Sequence, residues 1–272
     1  MKRIDIPIKQ INNDSVSIST EKTDEINDIY KYYEGITVQS LLYNYHHKIP
    51  FTKNDLIYLY DIYNIKSEIY RNDSLVKIRS ERNKFNDMAF IFDCSVSEIA
   101  GSEAELKKEP DKYLVLLDSL YIMDSNNANS YYKYPHLKYI RGNCEGTFFA
   151  HTNKRFPRLE SIGGNAIFNS LIDSYGLENL KSIGRNATFY NLRDARTLKK
   201  LQYIGGFAKF PNLCYAKGLE NLRYIGSYAD FPKLPHINVL PSLEFIGNLE
   251  KSSFYVESPN DIEKLKKRVL KK

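Results

Sequence analysis

The residues able to do chemistry are few and scattered. His46 and His47 are adjacent, but no Cys, Asp or Glu follows them at the spacing a metal site needs, so a surface or half-buried pair is expected. His136, His151 and His236 share no spacing. Cys94, Cys144 and Cys214 are far apart, odd in number and lack a CxxC pair, which argues against a disulfide framework or a thiolate metal site and fits a reducing compartment. No Ser/His/Asp, Cys/His or paired-carboxylate constellation stands out. The glycine-bearing turns lack the GxxxxGK[ST] or GxGxxG context of a phosphate loop. These residues predict a chain that is not an enzyme, with no cofactor and no metal.

Binding is then the remaining chemistry, and charge is the first clue. The net charge is +6 over 272 residues. Lys264, Lys266, Lys267, Arg268, Lys271 and Lys272 face only Asp261 and Glu263 in the last thirteen residues, so four of the six excess charges fall there. A nucleic-acid platform spreads its cations along a face; this cluster instead suits the solvated side of a terminal helix. Lys264, Lys267 and Arg268 are the candidate nucleic-acid contacts. Trp is absent while Tyr supplies 22 residues, in a background of Ile, Asn and Lys typical of AT-rich coding. No apolar run approaches the ~20 residues of a membrane span, and the first residues lack a signal-peptide core. A cytoplasmic protein with no membrane partner is expected.

The elements that position any binding residues are set by a repeat. Ile162, Ile183, Ile204, Ile225 and Ile246 recur every 21 residues, each followed by Gly and preceded three residues earlier by Leu. Further columns follow: Ala166, Ala187, Ala208 and Ala229; Phe168, Phe189, Phe210 and Phe231; Leu171, Leu192, Leu213 and Leu234. The consensus is LxxLxxIGxxAxFxxL, with a degenerate, one-residue-longer unit from Tyr134 that puts Cys144 in the Ala column, a small core position. A fixed period means that each unit makes one turn and returns to the same columns. Ala-x-Phe alternates as a short strand with Ala and Phe inward. The Leu, Leu, Ile spacing suits a helical or 3₁₀ turn on the opposite wall. Gly after Ile is expected in a positive-φ reversal. One unit cannot bury its apolar columns alone, so stability is expected to come from neighbours.

This pattern resembles leucine-rich repeats, in a short bacterial variant with Ile162-Gly163-Gly164-Asn165-Ala166-Ile167-Phe168 as its clearest stretch. The resemblance spans about residues 134–257 and implies a curved parallel sheet with a ligand-binding concave face, and no activity. It departs in the last unit, where Glu250 falls at the Ala column by count, suggesting a cap. The fold class expected is α/β: a leucine-rich-repeat-like solenoid with short parallel strands (residues 121–257). A mainly helical N-terminal domain (1–120) precedes it and a basic C-terminal capping helix (258–272) closes it.

In the N-terminal part, residues 1–20 read as a loose arm or edge strand. Thr52 is an N-cap with Asp55 at N3, ahead of a helix burying Leu56, Leu59, Tyr60 and Tyr63. Ser74 to Asn83 reads as a second helix with Leu75 and Ile78 inward. Met88 to Phe92 reads as a buried strand, Ser102 caps a helix through Lys108, and Tyr113 to Leu117 reads as strand. The domain is expected to dock on the first coil and cover its open edge. At the far end Ser258 and Pro259 form an N-cap and N1 pair, followed by an apolar stripe of Ile262, Leu265 and Val269.

Function is expected on the outward side chains, which vary while the inward columns stay fixed. Asn186, Thr188 and Tyr190 lie in one coil, Phe207 and Lys209 in the next, Tyr228 and Asp230 in the one after. Tyr190, Phe207 and Tyr228 are expected to form an aromatic strip flanked by Lys209 and Asp230, the kind of side chains enriched at interface hot spots. The expected function is a non-enzymatic module binding an intracellular protein partner. Composition and the lack of catalytic residues suggest one particular form, a phage-encoded inhibitor of a host defence nuclease. The alternative is an RNA- or DNA-binding protein using the basic terminal helix and exposed tyrosines.

Overall fold

The structure, a computed structural model, describes residues 35–62, 72–123, 134–147, 156–234, 240–254, 264–267 and 269. The expectations for residues 1–20, Tyr63, His151, His236, Ser258, Pro259, Ile262 and Arg268 concern residues outside these.

Two parallel sheets run the length of a solenoid. The first, the Ile sheet, has eight strands in order: Ile99–Ala100, Val115–Leu116, Tyr139–Ile140, Ser161–Ile162, Ser182–Ile183, Tyr203–Ile204, Tyr224–Ile225 and Phe245–Ile246. The second, the Ala sheet, has seven: Leu120–Met123, Cys144–Thr147, Ala166–Ile167, Ala187–Thr188, Ala208–Lys209, Ala229–Phe231 and Ser253–Phe254. From Val115 onward each coil gives one short strand to both. A third wall is tied by isolated parallel bridges, Asp173 to Asp194 and Asp194 to Tyr215.

The wall opposite the Ala sheet is therefore itself a sheet, and the helical expectation holds only for the approach to it. Leu180, Leu201 and Leu222 donate their N–H to Leu177, Leu198 and Leu219 at 3.1, 3.0 and 3.1 Å, an i→i+3 turn between the two Leu columns. The Ile that follows is then carried into extended pairing with the next coil. The Ile, Ala, Phe and Leu columns are buried in one continuous cluster. Within it Phe168, Phe189, Phe210 and Phe231 pack as a spine with ring centroids 5.2, 4.9 and 5.2 Å apart.

The glycines after Ile act by close approach, not by backbone sign. Positive φ among described glycines occurs at Gly35, Gly176 and Gly218, not in this column. A Cβ on Gly205 would lie 2.1 Å from the carbonyl oxygen of Gly184, and one on Gly226 would lie 2.0 Å from that of Gly205. The coils touch backbone to backbone here.

The last coil also corrects a register. Asp230 pairs with Ser253 and Phe231 with Phe254, and the Ala229 N–H donates to Ser252 Oγ at 3.0 Å. Ser252, not Glu250, thus takes the Ala column; Glu250 is exposed in a turn that lengthens this coil.

The N-terminal helices are α1 (Val38–His46), α2 (Lys53–Tyr60), α3 (Asp73–Ser80), α4 (Lys84–Phe92) and α5 (Glu103–Lys108). Thr52 caps α2 through a reciprocal bond with Asp55, as its spacing predicts. Leu75 and Ile78 are buried on α3, and Ser102 caps α5. The run Met88 to Phe92 is helical, not strand. Asn83 Oδ1 accepts from the N–H groups of Phe85 and Asn86, starting α4, and Met88 and Ile91 then share one buried face. A short apolar run fits either period, and the cap decides.

The helical part meets the solenoid on two sides. Ile99, Val115 and Tyr139, the outward residues of the first three Ile-sheet strands, belong to the helical core, whereas their inward neighbours Ala100, Leu116 and Ile140 belong to the solenoid core. Phe92 stacks on Tyr139 at 4.9 Å. Leu106 of α5 enters the solenoid cluster at its open first coil. The parallel stack thus begins at Ile99. At the other end the turn of helix at residues 264–267 buries Leu265, which with Val269 joins the same core.

Candidate binding surface

The outward positions of the Ala sheet are presented by the strands whose Ala and Phe side chains anchor the core. Thr188, Lys209 and Asp230 stand side by side in one column, since Lys209 pairs with Thr188 on one side and Asp230 on the other. All three are half-buried, and Asp230 Oδ1 accepts from Ser253 Oγ. One residue before the Ala column, Phe207 and Tyr228 stack with centroids 5.1 Å apart and planes 18° apart, each half-exposed.

Asn186 belongs to the column of Phe207 but is turned to the fold. Its Oδ1 accepts from the Phe207 N–H at 3.0 Å, and its own N–H donates to Asn165 Oδ1 at 3.1 Å. Upstream, Asn165 N–H donates to Asn143 Oδ1 at 2.9 Å and Asn143 N–H to Ser119 Oγ at 3.0 Å. This side-chain ladder fills backbone donors where the sheets turn a corner, and it ends where Phe207 replaces Asn. Tyr190 does not join the aromatic pair. It lies four residues beyond Asn186, in the column of Pro211 and Pro232, where Asn212 Nδ2 donates to its carbonyl at 2.8 Å. The strip is a stacked pair, with Tyr190 exposed at the corner that leads to the bridged wall.

Lys264 and Lys267 are exposed on the terminal helix. His46 ends α1 and His47 caps it, both exposed, with the His47 ring stacked on Tyr43 at 4.0 Å. Cys144 is fully buried, and burial pushes its thiol well above the usual range. Cys94 is raised for the same chief reason, and Cys214 is exposed. Among the described residues no group of three or more His, Cys, Asp or Glu could hold a metal, and no helix is long and apolar enough to cross a membrane.

One aromatic column escaped the repeat reading. Tyr203, Tyr224 and Phe245, each just before the repeated Ile, stack on the outer side of the Ile sheet at 4.7 and 4.6 Å. Tyr203 is buried and Phe245 exposed. The signal was present as the position before Ile, which is Ser in two coils and aromatic in three. In the helical part, a cavity of about 480 Å³ is lined by Tyr45, Lys48, Phe51, Arg82, Asp87 and Phe90, among others. Arg82 forks onto Asp87 at 2.6 and 2.7 Å, and Tyr60 Oη donates to the same carboxylate at 2.7 Å, which ties α2 to α4.

No protein-family model, curated protein or solved structure matches this chain.

Proposed function

We propose that the chain is a non-enzymatic binding module whose Ala-sheet face engages a protein partner. The observation that carries this reading is the half-exposed Phe207–Tyr228 stack beside the adjacent Lys209 and Asp230. Lys209 and Asp230 stand on strands, and Phe207 and Tyr228 immediately before them, next to Ala208 and Ala229 of the buried core. A flat aromatic surface with one cation and one anion supplies apolar area at low entropic cost and fixes orientation by charge. The experiment compares full-length protein with a Phe207→Ala, Tyr228→Ala, Lys209→Ala variant as bait. A protein recovered by the parent and lost by the folded variant supports the face. Equal recovery by both removes it.

A second reading, nucleic-acid binding by the terminal helix, rests on the exposed Lys264 and Lys267 against a buried Leu265 and Val269. It requires Lys264→Gln, Lys267→Gln to weaken oligonucleotide binding measured at low salt; unchanged affinity rejects it.

A further inference from the structure

Charge along the solenoid is concentrated in one coil. Residues 182–202 hold Arg185, Arg193, Arg196, Lys199 and Lys200 against Asp194 alone, a net of +4. The coil before it, 161–181, has Lys181 against Asp173 and Glu178, and the coil after it, 203–223, has Lys209, Lys217 and Arg223 against Glu220. Four of the five cations in the basic coil lie on the bridged wall and its adjoining turn.

The register of that wall places aromatic rings around them. Asp173, Asp194 and Tyr215 occupy one column. Two residues on, Tyr175, Arg196 and Lys217 occupy the next, and one residue before, Arg193 lies between Ile172 and Cys214. Neighbouring positions on successive coils are ~4.8 Å apart. Tyr175 and Tyr215 are 54% and 67% exposed. Arg193, Lys199, Lys200 and Lys217 are all exposed as well. The acidic groups of the wall face the backbone or a neighbour: Glu178 and Glu220 accept from the N–H of Gly176 and Gly218, and Asp194 holds Arg196 at 2.6 Å. Besides Ile172 and Cys214, which are exposed on either side of Arg193, what the wall turns to solvent is cationic and aromatic, with Lys200 Nζ donating to Asn179 Oδ1 at 2.6 Å.

We propose that this wall binds single-stranded nucleic acid, with Arg193, Lys199, Lys200 and Lys217 on phosphates and Tyr175 and Tyr215 as stacking platforms. An acidic peptide would need the cations but has no use for two exposed rings on the coils that flank them, whereas every base offers a π-face. The surface is separate from the Phe207–Tyr228 face and does not depend on it.

The test is fluorescence anisotropy of full-length protein with a labelled oligo-dT 20-mer. Four phosphate contacts on a single strand give a slope of about −2.8 in log K against log salt, so affinity falls about 50-fold from 50 to 200 mM. The Arg193→Gln, Lys199→Gln, Lys200→Gln, Lys217→Gln variant should lose that slope and at least about 30-fold in affinity at 50 mM. Tyr175→Ala and Tyr215→Ala should each weaken binding about 5-fold or more, with Tyr→Phe at the same positions restoring it. Should the quadruple variant alter the circular dichroism, the single Gln variants read the same slope, each lowering it by about 0.7. Phe207→Ala, Tyr228→Ala should leave this binding unchanged. Unaltered affinity in the quadruple variant overturns the proposal. So does equal binding of polyglutamate with no effect of the tyrosine substitutions, which would make the wall a reader of charge alone.

Discussion

Replacing Gly205 by Ala should unfasten one seam of the solenoid. The new Cβ would sit 2.1 Å from the Gly184 carbonyl oxygen, and Cβ contacts under 3.0 Å are essentially never seen, so the two coils must part by about 1 Å. The same seam is closed by Gly205 N–H to Ile183 O and Gly206 N–H to Arg185 O, both 2.9 Å. A 1 Å parting takes both beyond hydrogen-bonding range. Both glycines are half-buried, so each donor left unmet costs at the low end of ~1–3 kcal/mol, and the loss expected is about 2 kcal/mol or more. Urea denaturation followed by circular dichroism reads it as a drop in midpoint. Leu117 and Arg141 occupy this column in the longer coils that begin at Val115 and Tyr139. A loss below about 1 kcal/mol would refute the backbone-contact reasoning.

The other expectations concern single side chains. Phe189→Ala empties the middle of the Phe spine and should cost ~3–5 kcal/mol, whereas Phe207→Ala on the outer face should cost at most about 1; comparable midpoint shifts in urea would contradict the inward and outward assignment. Asn186→Ala removes the acceptor of the Phe207 N–H and should cost about 1–2 kcal/mol and speed exchange of that amide, while Asn186→Asp keeps an oxygen there and should cost less. Burial, with Arg141 nearby, lowers Lys84 from 10.5 to about 8. Between these values the unfolded chain holds a proton that the folded one has released, so this group's contribution to stability rises with pH across that window. Lys84→Gln should therefore stabilise most below pH 8, by an amount trimmed because the side chain is half-exposed, and the gain should shrink toward pH 10; a gain constant with pH would exclude burial of the charge as its source.

The repeat was legible because its columns are inward. Ile, Ala, Phe and Leu recur where the solenoid cannot vary, and the period alone gives parallel stacking. The Ile sheet was not legible, because a Leu-x-x-Leu-x-x-Ile run has helical spacing up to Leu180 and only inter-coil pairing extends the chain at Ser182 and Ile183. The glycine column was visible but its cause was not: the Gly205 to Gly184 approach is a property of two coils at once. Counting also misplaced Ser252, since two added residues in the last coil leave no mark on composition. Of the outward residues, Thr188, Lys209 and Asp230 fell together as the period implies. Tyr190 separated from Phe207 because the four residues between their columns put them beyond opposite ends of the short Ala187–Thr188 strand and its neighbours. The basic coil 182–202 was hidden by averaging charge over the whole chain.

The stacking itself can be measured directly. In a Cys94→Ser, Cys214→Ser background, spin labels at Ile167→Cys and Ser253→Cys span four strand spacings, through Thr188, Lys209 and Asp230. At ~4.8 Å per spacing the backbone separation is ~19 Å, and moving the first label to Glu145→Cys should lengthen the distance by one more step. Pulsed electron-spin distances that grow by one such step per coil are the result expected. A distance that does not increase from Ile167 to Glu145 would contradict the ordered stack.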